Sequence, residues 1–131
     1  MIDVFNRVLS NVTYSVKDIC SNIASANSDT PPDFPCLQLS QIDNLDTADD
    51  LENSENAVES VIEIQTYSNR NLNESRKIIN VSCDAMRQMG YRRIMGPKQI
   101  ANVGDGNIYR MVARFRRIIG NGEEIKKFES N

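Results

Sequence analysis

Apolar residues recur every third or fourth position near the start of the chain. Val4, Phe5, Val8, Leu9, Val12, Val16, Ile19 and Ile23 form one stripe, which predicts an amphipathic helix with Asp3 as its cap. The β-branched and polar run "NVTYS" predicts a frayed or bent segment near Thr13. From Asn27 to Pro35 the density of Ser, Asp and Pro, including "TPPDFP", reads as a loop, because proline removes a donor and pushes its predecessor out of helical geometry. The pattern then changes period. "CLQLSQI" alternates apolar with polar residues, as a half-buried strand does. "VESVIEIQTY" puts Val58, Ser60, Ile62, Ile64 and Thr66 on a core face, and Glu59, Val61, Glu63 and Gln65 on a charged one.

"NLNESRKIINVSCDAMRQMG" is the clearest helical segment, with Asn71 as N-cap, Glu74 placed for a capping box and Gly90 as the stop. Leu72, Ile79, Cys83 and Met86 share its apolar side, with Ile78 and Met89 at the margin, and the two methionines are read as core. The remainder predicts a long antiparallel hairpin. "YRRIMGPKQIANV" is extended sequence in which Gly96-Pro97 marks an edge or bulge, and "GDGN" supplies the positive-φ residues of a turn. On the return strand Tyr109, Met111, Ala113 and Phe115 fall on one face. Ile108, Arg110, Val112, Arg114, Arg116 and Ile118 fall on the other, and Arg117 lies opposite the arginine row.

Residues 43 to 56 break the alternation: they hold six acids, Asp43, Asp46, Asp49, Asp50, Glu52 and Glu55, with no base and two leucines. A mobile acidic loop is expected there, and a short polar tail at 120 to 131, within one domain spanning all 131 residues. No run of 18 apolar residues exists and the N-terminus lacks a basic start, so a soluble chain made in a cytosol is expected. Cys20, Cys36 and Cys83 are widely spaced without a CxxC pair, and reduced, mostly buried thiols are expected. The sequons at Asn11, Asn73 and Asn80 are then read as chance matches.

Chemistry is thin in this sequence. There is no histidine, which removes the commonest general base and transition-metal ligand, and there is no P-loop, GxGxxG or GxSxG segment. The acidic stretch lacks calcium-loop spacing. No enzymatic activity, cofactor or metal is expected. Charge carries more: residues 1 to 65 hold twelve acids and two bases, or −10, while residues 66 to 131 hold thirteen bases and six acids, or +7. One half of such a chain suits the other half of its own copy.

The arginine row admits three readings: a solvated sheet face, a nucleic-acid face, or a contact with a neighbouring subunit. A nucleic-acid module would use Arg92, Arg93, Arg110, Arg114 and Arg116. Both strand aromatics, Tyr109 and Phe115, lie on the opposite face, so no base-stacking platform is expected. A subunit contact would set Arg110, Arg114 and Arg116 against Glu59 and Glu63 or the acidic loop.

An N-terminal helix, the strand "PCLQLSQID", an acidic loop, "ESVIEIQTYS", a long helix closing on "MRQMGYRR" and the hairpin "IANVGDGNIYRMVARFR" follow in order over most of the chain. That order resembles the tail terminator family of long-tailed bacteriophages. The resemblance implies an α/β (α+β) fold: a small mixed, mainly antiparallel sheet with two main helices packed on one face and a long C-terminal β-hairpin. It implies a structural virion protein forming a ring, a hexamer in that family, which caps the tail tube, ends tube polymerisation and offers a docking surface to the head or connector. The implied partners are its own copies, the tail tube protein, head-tail connector or neck proteins and the sheath protein, with genomic DNA only passing through the lumen. The implied location is host cytoplasm during assembly, then the virion tail or neck. Arg110, Arg114, Arg116, Glu59 and Glu63 are the expected subunit-interface residues. Asp46, Asp49, Asp50, Glu52 and Asp105 are the expected partner-contacting loop residues. Other phage neck or head-tail completion proteins share this pattern and remain an alternative.

Overall fold

A computed structural model of the chain describes residues 4–24, 34–42, 58–100, 108–120 and 125–128. Among the described residues two helices and five strands run in the order α1 (Val4–Val16), β1 (Asn22–Ala24), β2 (Cys36–Ile42), β3 (Val58–Ser68), α2 (Leu72–Gln88), β4 (Arg92–Ile100) and β5 (Tyr109–Ile119). The strands form one sheet in the order β1-β2-β3-β5-β4. Among the described strands β1 and β2 pair in parallel and the other pairings are antiparallel. The fold is therefore α+β with a mixed, mainly antiparallel sheet.

The first helix is shorter than its apolar stripe. It stops at Val16, whose carbonyl accepts both the Ile19 and Cys20 amides, and Ile23 lies in β1 opposite Leu37. Near that end, Thr13 and Ser15 hydroxyls donate to the carbonyls four residues back, the local competition that weakens a helix. The stripe continued past the helix because a half-buried edge strand needs apolar residues too. The expected cap, Asp3, lies outside the described residues, as do the acidic loop at 43 to 56 and the "GDGN" turn.

The second helix begins as its sequence predicts, with the Asn71 side chain accepting the Glu74 amide at 2.8 Å. The reciprocal half of the capping box is not made. The Glu74 carboxylate instead accepts the Ser68 hydroxyl at 2.6 Å, and Ser68 Oγ in turn accepts the Arg70 and Asn71 amides. At the other end the Tyr91 amide reaches the Met86 carbonyl and the Gly90 amide reaches that of Arg87, with Gly90 at φ +84°. This paired closure requires a left-handed residue after the cap, which glycine adopts without steric cost.

The buried face of α2 is rotated from the expected one. Ile78, Ile79, Ala85 and Met86 are buried together with Ser75 and Ser82, while Leu72 and Cys83 are only partly so. Two serines hide this stripe from a hydrophobic pattern. Ser82 donates to Ile78 O, and Ser75 exchanges hydrogen bonds with Thr66 on β3. The pair fixes α2 on the sheet face that carries Ser60, Ile62, Ile64 and Thr66. Val8, Val12 and Val16 of α1 join Leu37, Leu39, Ile62, Ile64, Ile79, Met86 and Phe115 in one core cluster.

Residues 125–128, within what reads as a polar tail, are packed down. Asn11, 1% exposed, donates through Nδ2 to Lys126 O at 2.9 Å and accepts the Phe128 amide at 2.9 Å, and Arg7 donates to Ile125 O at 2.7 Å. One buried amide side chain thus replaces a missing strand partner for this segment. It also removes Asn11 from reach as a glycan acceptor in the folded chain.

The sheet edges are blunted. β1 has three residues. β4 carries exposed Arg92, Arg93 and Lys98, a cis Gly96-Pro97 bond and two register shifts against β5. Charge, proline and bulges on an edge all discourage strand addition.

Candidate functional site

The register across β2, β3 and β5 sets which side chains share the face away from Thr66. Glu63 stands opposite Arg114, Gln65 opposite Val112, Tyr67 opposite Arg110, and Gln38 opposite Gln65. Glu59 and Val61 lie on the same face, opposite Ile118 and Arg116. The period-two reading of both strands therefore places Arg110, Arg114, Arg116, Glu59 and Glu63 together on one face, with Arg117 on the other.

These groups line up as a polar ladder along the face. Arg114 Nε donates to Glu63 Oε2 at 2.8 Å, and Arg116 forms a salt bridge with Glu59. Arg110 Nε donates to Gln65 Oε1 at 2.8 Å, and Gln65 Nε2 donates to Glu63 Oε1 at 2.8 Å. The Tyr67 hydroxyl donates to Gln65 Oε1 at 2.8 Å, with Gln38 Oε1 3.1 Å away.

Burial divides the ladder into a floor and a roof. The Glu59 and Glu63 side chains are 5% and 9% exposed, whereas those of Arg116 and Arg114 are 37% and 45% exposed. The acids lie deep and are satisfied within the chain. The guanidiniums lie over them with part of each donor fork turned outward, since Arg presents five N–H groups and these pairs use only some of them.

Tyr67 was not among the residues singled out from sequence, yet it continues the Glu59, Val61, Glu63, Gln65 alternation. Its ring lies under Arg110, whose guanidinium carbon is 5.2 Å from the centroid. With 0% exposure it has no face open to a nucleobase. The five arginines of a nucleic-acid reading also fail to share one surface. Arg92 stands opposite Arg116 on the ladder side, but Arg93 stands opposite Phe115, toward the helices.

On the helix side, Arg117 Nη1 donates to Met89 O at 2.5 Å, closing the C-terminal end of α2. Tyr91 shares a 2.6 Å hydrogen bond with Ser60, and burial raises its phenol pKa. Burial likewise lifts the Cys83 thiol to about 11. The three cysteines are free thiols, and Cys20 and Cys36 are buried.

Among the described residues no three His, Cys, Asp or Glu side chains group to hold a metal, and no helix is long and apolar enough to cross a membrane. Asp46, Asp49, Asp50, Glu52 and Asp105 lie outside the described residues. The chain matches no family model and no curated protein.

Proposed function

We propose that the chain is a structural virion protein of a long-tailed phage. Its copies close into a ring that caps the tail tube, ends tube polymerisation and offers the head or connector its docking surface. Assembly takes place in host cytoplasm and the ring then stays in the virion neck, where genomic DNA passes through its lumen. The observation that carries this reading is the sheet face away from α1 and α2, on which partly exposed Arg110, Arg114 and Arg116 form a cationic row over buried acids.

Three features support a subunit contact at that face. The ladder fixes the guanidiniums in place before any partner arrives, which lowers the entropy lost on docking. The blunted edges of β1 and β4 disfavour association by strand addition, leaving faces and loops to make it. The acid-rich first half of a neighbouring copy supplies charge for the outward donors, as a heterologous ring interface requires. The order of elements adds support, since a helix, three strands, a long helix and a final strand pair resemble the tail terminator arrangement. Within this reading Asp46, Asp49, Asp50, Glu52 and Asp105 contact partners.

The role is tested by adding the purified chain to growing tail tubes assembled from a long-tailed phage tube protein. Capping predicts tubes whose growth stops, with the chain found at one end by immunogold electron microscopy. Unchanged growth with no end-labelling would exclude the capping role.

A further inference from the structure

At the corner of the sheet where β4 begins and β5 ends, two large aliphatic side chains stay exposed, Ile94 at 49% and Ile118 at 41%. Arg92 stands directly opposite Arg116 between them. Ile118 shares the ladder side of β5 with Arg116, and Ile94 falls at the first register shift of β4, beside Met95 opposite Arg114. A hollow of about 300 Å³ at this corner is lined by Arg92, Arg116 and Ile118 together with Gly90 and Arg117. Arg116 is held by Glu59 and Arg117 by Met89 O, but among the described residues Arg92 has no hydrogen-bond or salt-bridge partner. Like charges directly opposite each other in a sheet are destabilising, so the fold itself gains nothing from a positive charge at position 92. From Ile118 back to Arg114 the corner reads apolar, basic, apolar over about 13 Å at the strand rise.

The chain contains a segment with the matching order. Within residues 43 to 56, which hold six acids and no base, Leu45 and Leu51 bracket Asp46, Asp49 and Asp50. The stretch from Leu45 to Leu51 covers about 9 Å as helix and about 20 Å when extended, so its length suits the spacing of the two isoleucines. We propose that this corner docks residues 43 to 56 of a second copy of the chain, with the leucines against Ile94 and Ile118 and the intervening acids against Arg92 and the outward donors of Arg116. The assignment deepens the self-assembly reading and rests on it. The segment is rooted at the ends of β2 and β3, whereas the corner lies on the β5–β4 half of the sheet, so copies set side by side, head to tail, bring one to the other. A nucleic acid is the rival occupant of any arginine-bearing surface. It is disfavoured because the exposed side chains beside these arginines are aliphatic: they give bases no ring to stack on, and leucines bury them.

Charge reversal in the full chain tests this. Arg92→Glu sets an acid opposite Arg116, the favourable sign across a strand pair, so its monomer should melt no lower than wild type while assembly, read by sedimentation velocity, is lost. Lys98→Glu makes the same change further along β4, opposite Val112, and should assemble like wild type. Asp49→Lys with Asp50→Lys should fail alone, and its equimolar mixture with Arg92→Glu should recover assembly, since each variant then meets its complement on the other copy. A fluorescent peptide of residues 43 to 56 should bind wild type and lose affinity about tenfold or more on Arg92→Glu. If Arg92→Glu assembles like wild type, or if Lys98→Glu fails as fully, the corner assignment is overturned and the ring reading stands. If wild type stays monomeric, both fail. Recovery absent from the mixture but present in one chain carrying all three changes would place the segment on its own corner and overturn the second-copy assignment. Tighter Arg92-dependent binding of a single-stranded DNA oligonucleotide than of the peptide would also overturn it.

Discussion

Arg114 and Glu63 face each other across β5 and β3 in exact register, and their side chains meet at 2.8 Å, with the acid 9% exposed and the base 45% exposed. The pair is a hybrid: its acid is desolvated like a core group, and its base is hydrated like a surface one. Removing Arg114 leaves Glu63 with the amide of Gln65 as its remaining side-chain donor among the described residues. Arg114→Ala should therefore cost about 1–2 kcal/mol, above an exposed pair but below a fully buried one. Urea unfolding of Arg114→Ala, Glu63→Gln and the double variant should give a coupling of about 1 kcal/mol. Additive losses would mean that the pair contributes nothing of its own. For the same reason Arg114→Glu is a poor probe of assembly, because it sets two carboxylates opposite each other within one chain.

Asn11 is the second test. Its amide bonds Lys126 O, the Phe128 amide and Met89 Sδ, tying α1, the closing segment and the end of α2. Asn11→Ala should destabilise by about 1–3 kcal/mol through the unsatisfied buried groups it leaves. Hydrogen exchange at Phe128 should accelerate more than exchange in β3. Equal acceleration everywhere would show a global loss and not a released segment.

The two positive-φ glycines should differ. A Cβ on Gly96, at φ +75°, would lie 2.3 Å from the Val112 carbonyl oxygen, whereas one on Gly90, at φ +84°, meets only the Arg117 side chain at 3.4 Å. Gly90→Ala should cost about 1–2 kcal/mol for its backbone conformation alone. Gly96→Ala adds a backbone clash and should melt lower than Gly90→Ala. Equal melting temperatures would show that β4 yields freely at its bulge.

Cys83 offers a pH-dependent signature. Burial raises its thiol from 9.0 to about 11, so at pH 8 its thiolate is about a hundredfold scarcer than in the unfolded chain. The folded state holds this proton more tightly than the unfolded state. The resulting stability is full below pH 9 and is lost as pH rises from 9.0 toward about 11. Iodoacetamide labelling of Cys83, read by peptide mass spectrometry, should be slow at pH 8 and still rising past pH 10. A plateau near pH 9 would contradict the burial.

Much of the sheet was legible because period two is strict. The parity of "VESVIEIQTY" and of "IYRMVARFRRII" assigns both faces, and the structure keeps them, down to Arg117 on the side opposite the arginine row. The second helix carried its own boundaries in Asn71 and Gly90. The failures share one cause, which is that polar side chains satisfied by tertiary partners look like surface. Ser75 and Ser82 sit in the buried stripe of α2, Gln38 lies in a strand end buried on both faces, and Asn11 holds a segment that reads as a polar tail. Ile23 misled in the other direction, because an apolar residue marks burial without saying whether helix or strand buries it.

Native mass spectrometry of the purified full chain, paired with a DNA gel-shift over a salt series, tests the ring reading most directly. The account predicts a single closed species, six copies by the family resemblance, with neither dimers nor open series dominating, and no DNA shift at physiological salt. A chain that stays monomeric across all concentrations while shifting DNA, with affinity falling steeply as salt rises, would contradict it and make the arginine row a phosphate-binding face.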